Sequence, residues 1–434
     1  MESKRMAVLG GGPMGLAVAY QLVKDGHRPV LFEAGPRIGG MTTTFDFEGT
    51  TIERFYHFHC TSDVDFFELL NELGLGDRMR WSRTRMGLWY QGRVQRWGDP
   101  IALLRFRGLS LLGKIRYGLH AFTSVKRNNW RKLDGLEAQG WVKWWIGQKA
   151  YDVTWRKLFD LKFYDYADQL SAAWIWSRIR RIGRSRSSLL AEKLGALEGG
   201  SDTWLTAIEH AITRGGGEIR LRTPIEEVVI DDNKVRGVRT PSGMQEFDHV
   251  ISTVPLPYVS DMMPGLPEDV LAKYRAQKNI AVVCVIAKLR RQLTEFFWLN
   301  VNDPEMDIPG LVEYSHVRDL DAHVIYVPFY MPAENPKFQD SDEIFCEKVV
   351  SYLKRINPDL SDDDIIAVRA SRYRFAQPVC GPNFLDSLPP WDLPVEGLFA
   401  ADTSYYYPED RGISESVKFG RMMARRSVSE EIHD

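Results

Sequence analysis

Residues 7–40 read AVLGGGPMGLAVAYQLVKDGHRPVLFEAGPRIGG, and their order of elements decides the fold. The apolar run from Met6 to Leu9 suits a buried parallel strand. Gly10, Gly12 and Gly15 follow in G-x-G-x-x-G spacing. LAVAYQLVKDG then reads as a helix stopping near Gly26, and HRPVLFE as a second strand ending on Glu33. Gly10 permits the tight turn, Gly12 lets backbone approach a pyrophosphate, and Gly15 lets helix and strand pack closely. The pyrophosphate would rest on free N–H groups at the helix start. Glu33, 18 residues beyond Gly15, is placed to accept hydrogen bonds from an adenosine ribose. Strand, glycines, helix, strand and acid in this order predict a dinucleotide site.

The next residues, AGPRIGGMTTTF, extend the pattern from Glu33 through Arg37 to Gly39 and Gly40. This resembles the extended fingerprint of flavoproteins related to monoamine oxidase, protoporphyrinogen oxidase and phytoene desaturase, and it implies FAD rather than NAD. Many such proteins carry Arg directly after the Gly-Gly pair. Here Met41 stands in that place, so one phosphate contact is expected to be missing.

Residues 397–426, GLFAADTSYYYPEDRGISESVKFGRMMARR, carry the resemblance to the far end. It implies that Asp402 binds the ribityl or phosphate end of FAD. Gly412 and Ile413 would open the last helix, whose positive end favours negative charge on a reduced flavin. Residues 199–255 read as helix, strand, strand, turn, strand and strand, and the resemblance brings backbone near Val228 beside the adenine. The expected fold is α/β. A discontinuous Rossmann-like FAD-binding domain takes residues 1–60, 196–260 and 390–434, and a mixed α+β substrate domain takes 61–195 and 261–389. The first substrate block reads as mainly helical. In the second, IAVVCVIAKL and HVIYVPFYM read as strands and SDEIFCEKVVSYLKRI as a helix, a mixed sheet roofing the flavin.

Chemistry beyond the cofactor is less sharply written. GTTIERFYHFH, residues 49–59, is the stretch that relatives bring to the flavin, so Tyr56, His57 and His59 are candidates for proton transfer or flavin packing. Arg411 is a fourth catalytic candidate, and Tyr405, Tyr406 and Tyr407 are expected to shape the substrate mouth. Amine oxidases of this superfamily commonly keep a lysine near the flavin in the roofing sheet. The corresponding strand has only Lys278 and Lys288 at its ends, which weighs against a simple amine oxidase.

WIWSRIRRIGRSR gathers Arg178, Arg180, Arg181, Arg184 and Arg186. Guanidinium groups so close repel one another unless solvent or an anion lies among them, and Arg178 and Arg181 with Tyr406 are the expected substrate contacts, for a phosphate or diphosphate. GWVKWWIGQKAYDVTWRKLFDLKFYDY is dense in aromatics and suits packing, with a few rings lining an apolar tunnel. Residues 101–132 hold eight Lys or Arg and no acid among Leu, Phe, Tyr and Trp. A core helix with a solvated basic face explains that, and so does contact with anionic lipid.

Composition bounds the rest. A net charge of −2 over 434 residues excludes an overall basic nucleic-acid binder. Cys60, Cys284, Cys346 and Cys380 have no C-x-x-C spacing and read as reduced thiols, with no metal site. No signal-peptide pattern precedes the first strand, and no apolar run spans a bilayer. The expected protein is cytoplasmic, with peripheral contact at the inner face of the membrane as an option. Its expected activity is oxidoreduction, a hydride passing between FAD and a C–C or C–N bond of a hydrophobic or lipid-linked, phosphate-bearing substrate. The alternative is an isomerase similar to UDP-galactopyranose mutase, acting on a nucleotide sugar.

Overall fold

A computed structural model describes residues 4–188 and 191–429; the outermost residues of the expected cofactor domain lie outside them. Met6–Leu9 is fully buried at the centre of a five-stranded parallel sheet. Val30–Phe32 and His249–Ser252 flank it, with Glu218–Arg220 and Leu398–Ala400 at the two edges. Strands separated by hundreds of residues thus share one sheet. Parallel strands need crossovers, and the long excursions between them carry the rest of the molecule.

The helix Pro13–Lys24 begins with Pro in its first turn, where the missing N–H has no intrahelical partner to lose. It lies so close to the sheet that a Cβ on Gly15 would stand 1.9 Å from the Gly10 carbonyl oxygen. Its other side crosses the last helix, Ile413–Val428. There a Cβ on Gly420 would stand 2.5 Å from the Met14 carbonyl oxygen. Two side-chain-free crossings therefore set where both helices start.

A second sheet of seven strands roofs the first. Asn279–Leu289 is buried along almost its whole length because it is covered on both faces. Val282, Cys284 and Ile286 face the central core, while Val283, Val285 and Ala287 pack with Phe345, Val349 and Leu353 of the helix Asp342–Ile356. Period-two alternation places the side chains on opposite faces even though all are apolar. Its neighbours are His323–Met331 and the long strand Ile365–Pro378.

The block 61–195 is mainly helical, as expected, but it also contains strands. Met86–Tyr90 and Arg93–Trp97 complete the roof through a parallel pairing of Met86–Tyr90 with Trp298–Asn302. Met79–Thr84 pairs with Ala191–Leu197. Arg186–Ser188 is a short strand beside the latter, and the helices include Pro100–Arg105, Leu111–Lys126, Ala138–Ile146, Arg156–Phe163 and Ala172–Arg184. Residues 199–255 form five strands after their helix, one more than expected; the first and last join the parallel sheet, and Val228 is buried in the antiparallel sheet of the middle three. No described helix is long and apolar enough to cross a membrane.

The Gly15 crossing is directly testable. Gly15→Val drives two methyl groups toward the Gly10 carbonyl and the Thr253 hydroxyl, and overpacking of this kind destabilises by about 3 kcal/mol or more. A clear fall in the urea midpoint is expected; an unchanged midpoint would mean the helix sits further from the strand.

Candidate active site

The two helix starts open on one cavity. Gly12 and Pro13 line it at the first helix, Gly412 and Ile413 at the last. The residue before each helix, Gly12 and Gly412, has no side chain to cap it, so backbone donors and a positive helix end face whatever enters, with the Glu415 carboxylate beside the start of the last helix. A Cβ on Gly12 would meet no protein atom within 4 Å; the space before it belongs to the cavity.

The Gly39–Gly40 pair folds over this turn. Both residues have left-handed backbones, with φ of 115° and 54°, a conformation that favours glycine. The Gly39 N–H donates to the Gly11 carbonyl at 2.7 Å, and a Cβ on Gly40 would stand 3.2 Å from the Gly12 Cα. Gly40 and Met41 line the cavity. Glu33 accepts from the Gly11 and Gly35 N–H groups at 2.8 and 2.7 Å, which holds its carboxylate beside the glycine turn. Asp402 is buried on the wall and accepts from the backbone N–H groups of Leu256 and Ser404 at 2.9 and 2.8 Å. Burial pushes its carboxyl up from the usual range, against those bonds. Two helix starts at glycines, an open glycine turn and the buried acid Asp402 fit a dinucleotide. Three expected contacts are not on the cavity wall: Glu33 stays behind the glycine turn on the Gly11 and Gly35 N–H groups, Arg37 is exposed and donates to the Thr44 carbonyl, and Val228 is buried in its own sheet.

Tyr56, His57 and His59 line the middle of the cavity. His57 Nδ1 donates to the Phe55 carbonyl at 2.7 Å, and burial lowers its pKa to about 4, so the ring is neutral with Nε2 free to accept. Burial pushes the Tyr56 phenol well up, with Tyr330 beside it, so it remains protonated. His59 stacks on Phe66 at 4.5 Å, with Nδ1 3.6 Å from Asp63. Val282, Cys284, Tyr330, Tyr373 and Phe375 of the roof close the cavity opposite the helix starts.

Part of its wall is charged. Arg178, Arg181 and Arg411 all reach the wall, but two of them have acid partners that the sequence did not announce. Arg178 pairs with Asp410, and Arg181 donates to both oxygens of Asp63 at 3.2 and 3.3 Å. Against the effect of burial, Arg178 above all holds the Asp410 carboxyl down at about 2. Arg411 donates to the Ala376 carbonyl and has no carboxylate partner among the described residues. Asp410 Oδ1 and Arg181 Nε are buried without hydrogen-bond partners among those residues, as expected of a wall that meets a polar ligand.

Tyr406 also lines the cavity, yet its hydroxyl donates to Ser416 at 2.9 Å, and Ser416 to the Gly412 carbonyl at 2.8 Å. It braces the start of the last helix. Tyr405 and Tyr407 bond instead to Pro389 and to Asp134 and Ser171, away from the wall.

Lys162 was not among the sequence candidates. It is buried on the cavity wall, 4% exposed. The rings of Phe163, Trp174 and Tyr330 surround its amine at 5.5, 5.4 and 5.0 Å. Burial, then repulsion from Arg178, pushes its pKa well below the ordinary lysine value. Lys278 and Lys288, by contrast, bond to Gln169 and to Glu48 and Thr50, off the wall. The available signal was the position of Lys162 in KLFDLKF, three residues after buried Phe159 and beside buried Phe163, where a helix facing a core carries an apolar residue.

Gly12→Val tests the cradle. The protein should fold, since the new Cβ would meet no protein atom within 4 Å, yet lose its bound dinucleotide. Circular dichroism and visible absorbance of the purified variant check both halves; full flavin occupancy would defeat the assignment.

A family model described as flavin containing amine oxidoreductase matches residues 15–404. The 15-cis-phytoene desaturase of Synechococcus elongatus is 24% identical over 293 residues, 60% of this chain. The chain thus spans about 60% of that relative's length. Among solved structures, a putative protoporphyrinogen oxidase from Exiguobacterium sp. 255-15 superposes with a TM-score of 0.74 at 20% identity, covering 98% of this chain and 99% of that one. Reduced UDP-galactopyranose mutase superposes with a TM-score of 0.75 at 15% identity, covering 98% and 94%. At such identities the superpositions establish a shared fold.

Proposed function

The chain belongs to the flavin-containing amine oxidoreductase family and carries FAD, and from that premise we propose that it moves a hydride between flavin and a C–C or C–N bond of a largely hydrophobic substrate with an anionic end. The observation that carries this reading is the two-part wall of a single cavity. Phe55, Tyr56, Phe58, Trp298, Tyr330 and Phe375 offer apolar surface, while Arg178, Arg181 and Arg411 on the same wall gather around Asp410. Aromatic surface selects for apolar substrate body, and a few convergent cations fix its orientation.

When bound, FAD supplies the hydride acceptor or donor. Gly12, Gly40, Asp402, Gly412 and Ile413 would hold it. Each guanidinium carries five N–H donors, so Arg178 and Arg181 keep donors beyond those their carboxylates occupy. Arg411 offers a cation with only a carbonyl partner. A phosphate or carboxylate on the substrate would rest there. Lys162 takes the proton that leaves with the hydride during desaturation. Burial lowers the pKa of its amine well below the ordinary lysine range, so it gives up its proton more readily, and it stands on the same wall. His57 Nε2 is a neutral acceptor that orients the reacting segment.

The second reading is the isomerase. It draws on the paired arginines of the wall, which suit a diphosphate, and it would use the flavin without net electron transfer.

One experiment separates them. The holoprotein is mixed anaerobically with apolar polyenes, tetrapyrroles and long-chain amines in micelles while its visible spectrum is followed. Bleaching of the flavin by one of these classes is the expected result. A spectrum indifferent to all of them, but shifted by a nucleotide diphosphate sugar only after pre-reduction, would establish the isomerase instead. For the reactive substrate, Lys162→Met should slow flavin reduction about 100-fold or more and retain FAD. The parent rate should rise with pH as the amine deprotonates, and the variant should lose that rise.

A further inference from the structure

The helix Leu111–Lys126 is built inside out. Leu111 and Phe122 are 69% and 61% exposed, and Leu112, Ile115 and Leu119 are exposed between them. This spacing puts all five on one face of the helix. The opposite face buries polar residues. His120 packs on the rings of Trp141 and Trp145 at 4.7 and 5.6 Å, and the Ser124 carbonyl accepts from Trp176 Nε1 at 2.8 Å. A helix surrounded by water would carry the reverse pattern.

Neighbouring elements extend the apolar face. The Lys114 ammonium donates to the Leu104 carbonyl at 2.6 Å, which ties the helix Pro100–Arg105 alongside, with Leu104 itself exposed. Arg116 donates to the carbonyls of Trp144 and Trp145, which fixes the helix Ala138–Ile146 to the same region. Trp144 is the most exposed large apolar side chain described, at 71%. Isolated exposed leucines need no explanation, but a contiguous set of Leu, Ile, Phe and Trp marks an interaction surface.

Charge decides what meets it. Residues 101–133 contain no Asp or Glu in a chain whose net charge is −2, so positive charge is concentrated here. Arg105, Arg107 and Lys126 are exposed, and none forms an ion pair with a carboxylate among the described residues. The Lys126 amine lies 5.9 Å from the Phe122 ring, so cation and apolar surface adjoin. Two copies of such a face would repel each other. A layer of anionic headgroups over hydrocarbon matches both components, with Trp suited to the boundary.

We propose that this face, formed by the helices Pro100–Arg105, Leu111–Lys126 and Ala138–Ile146, docks the protein onto an anionic phospholipid bilayer. The contact is superficial. Leu, Ile and Phe enter the headgroup–acyl boundary, Trp144 lies at its level, and Arg105, Arg107 and Lys126 meet phosphates. The docked helix packs directly on Ala172–Arg184, which presents Arg178 and Arg181 to the cavity. One layer of helix thus separates the lipid surface from the arginines of the cavity wall. This last link rests on the hydrophobic-substrate reading; the docking itself does not.

The test is co-sedimentation of the FAD-loaded protein with vesicles of phosphatidylcholine alone or mixed with phosphatidylglycerol. The protein should pellet with the mixed vesicles and stay in solution with phosphatidylcholine. Leu112→Gln with Phe122→Gln should reduce binding at least about tenfold. Arg105→Gln with Arg107→Gln should reduce it about fivefold for each cation removed, and high salt should act in the same direction. Ile344→Gln, at an exposed apolar position on another helix, should change nothing, and flavin absorbance in each tube reports that every variant is folded. Equal binding to both vesicles would overturn the headgroup assignment, and no binding would overturn docking while leaving the flavin reading intact. A dimer in sedimentation velocity that the double Gln variant dissolves would assign the face to a second copy instead. Vesicle binding without turnover of any hydrophobic compound would remove the substrate reading and leave the docking.

Discussion

The architecture depends on how closely the first helix approaches the first strand. Gly15 leaves no room for a side chain against the Gly10 carbonyl, and that contact fixes where the helix begins. Because it begins there, its uncapped N–H groups face the cavity. The last helix crosses it at Gly420, where Met14 backbone fills the space of a side chain. Its start at Gly412 therefore reaches the same cavity from the opposite end of the sequence. Two positive helix ends converge on one site because two crossings are made without side chains.

Around that site the roof and the helical block perform different tasks. The roof supplies a largely aromatic surface, and its strands Asn279–Leu289 and His323–Met331 are buried on both faces. The helical block supplies charge. Buried cations are tolerable only with partners, and the wall pairs Arg178 with Asp410 and Arg181 with Asp63. Lys162 has rings rather than a carboxylate around it, and the cheapest response to that environment is to lose its proton. An amine of lowered pKa on the same wall as the guanidinium groups places a candidate proton acceptor and anion donors within one cavity. The last turn of connectivity, from Tyr406 through Ser416 to the Gly412 carbonyl, holds the helix start against that charged wall.

The same helical block turns a second surface outward. Its polar residues are buried between tryptophans while its leucines and Phe122 face out. One helix layer thus has a charged cavity on its inner side and an apolar, basic face on its outer side, and the helix Ala172–Arg184 connects the two.

Much of this was legible in the sequence where the cause is local. The glycine spacing, the apolar strand and the acid at Glu33 are constraints on neighbouring backbone, and each is met within 40 residues. The helix opening at Gly412 and the strands Asn279–Leu289 and His323–Met331 also follow from short patterns. The strands between Met79 and Trp97 did not, because arginines lie in and between them and their outside partners, Ala191–Leu197 for Met79–Thr84 and Trp298–Asn302 for Met86–Tyr90, are far along the chain. The arginine run 178–186 showed that several cations are crowded together; it held no information about Asp410 or Asp63. Nor could it distinguish Lys162 from the other lysines of the helical block. Local backbone geometry, and with it the cofactor class, is determined by the sequence itself, since a glycine turn is specified by adjacent residues. The protonation of a buried lysine, the partners of an arginine and the outward turn of an apolar helix face depend on which distant atoms come close, and only the tertiary structure decided those.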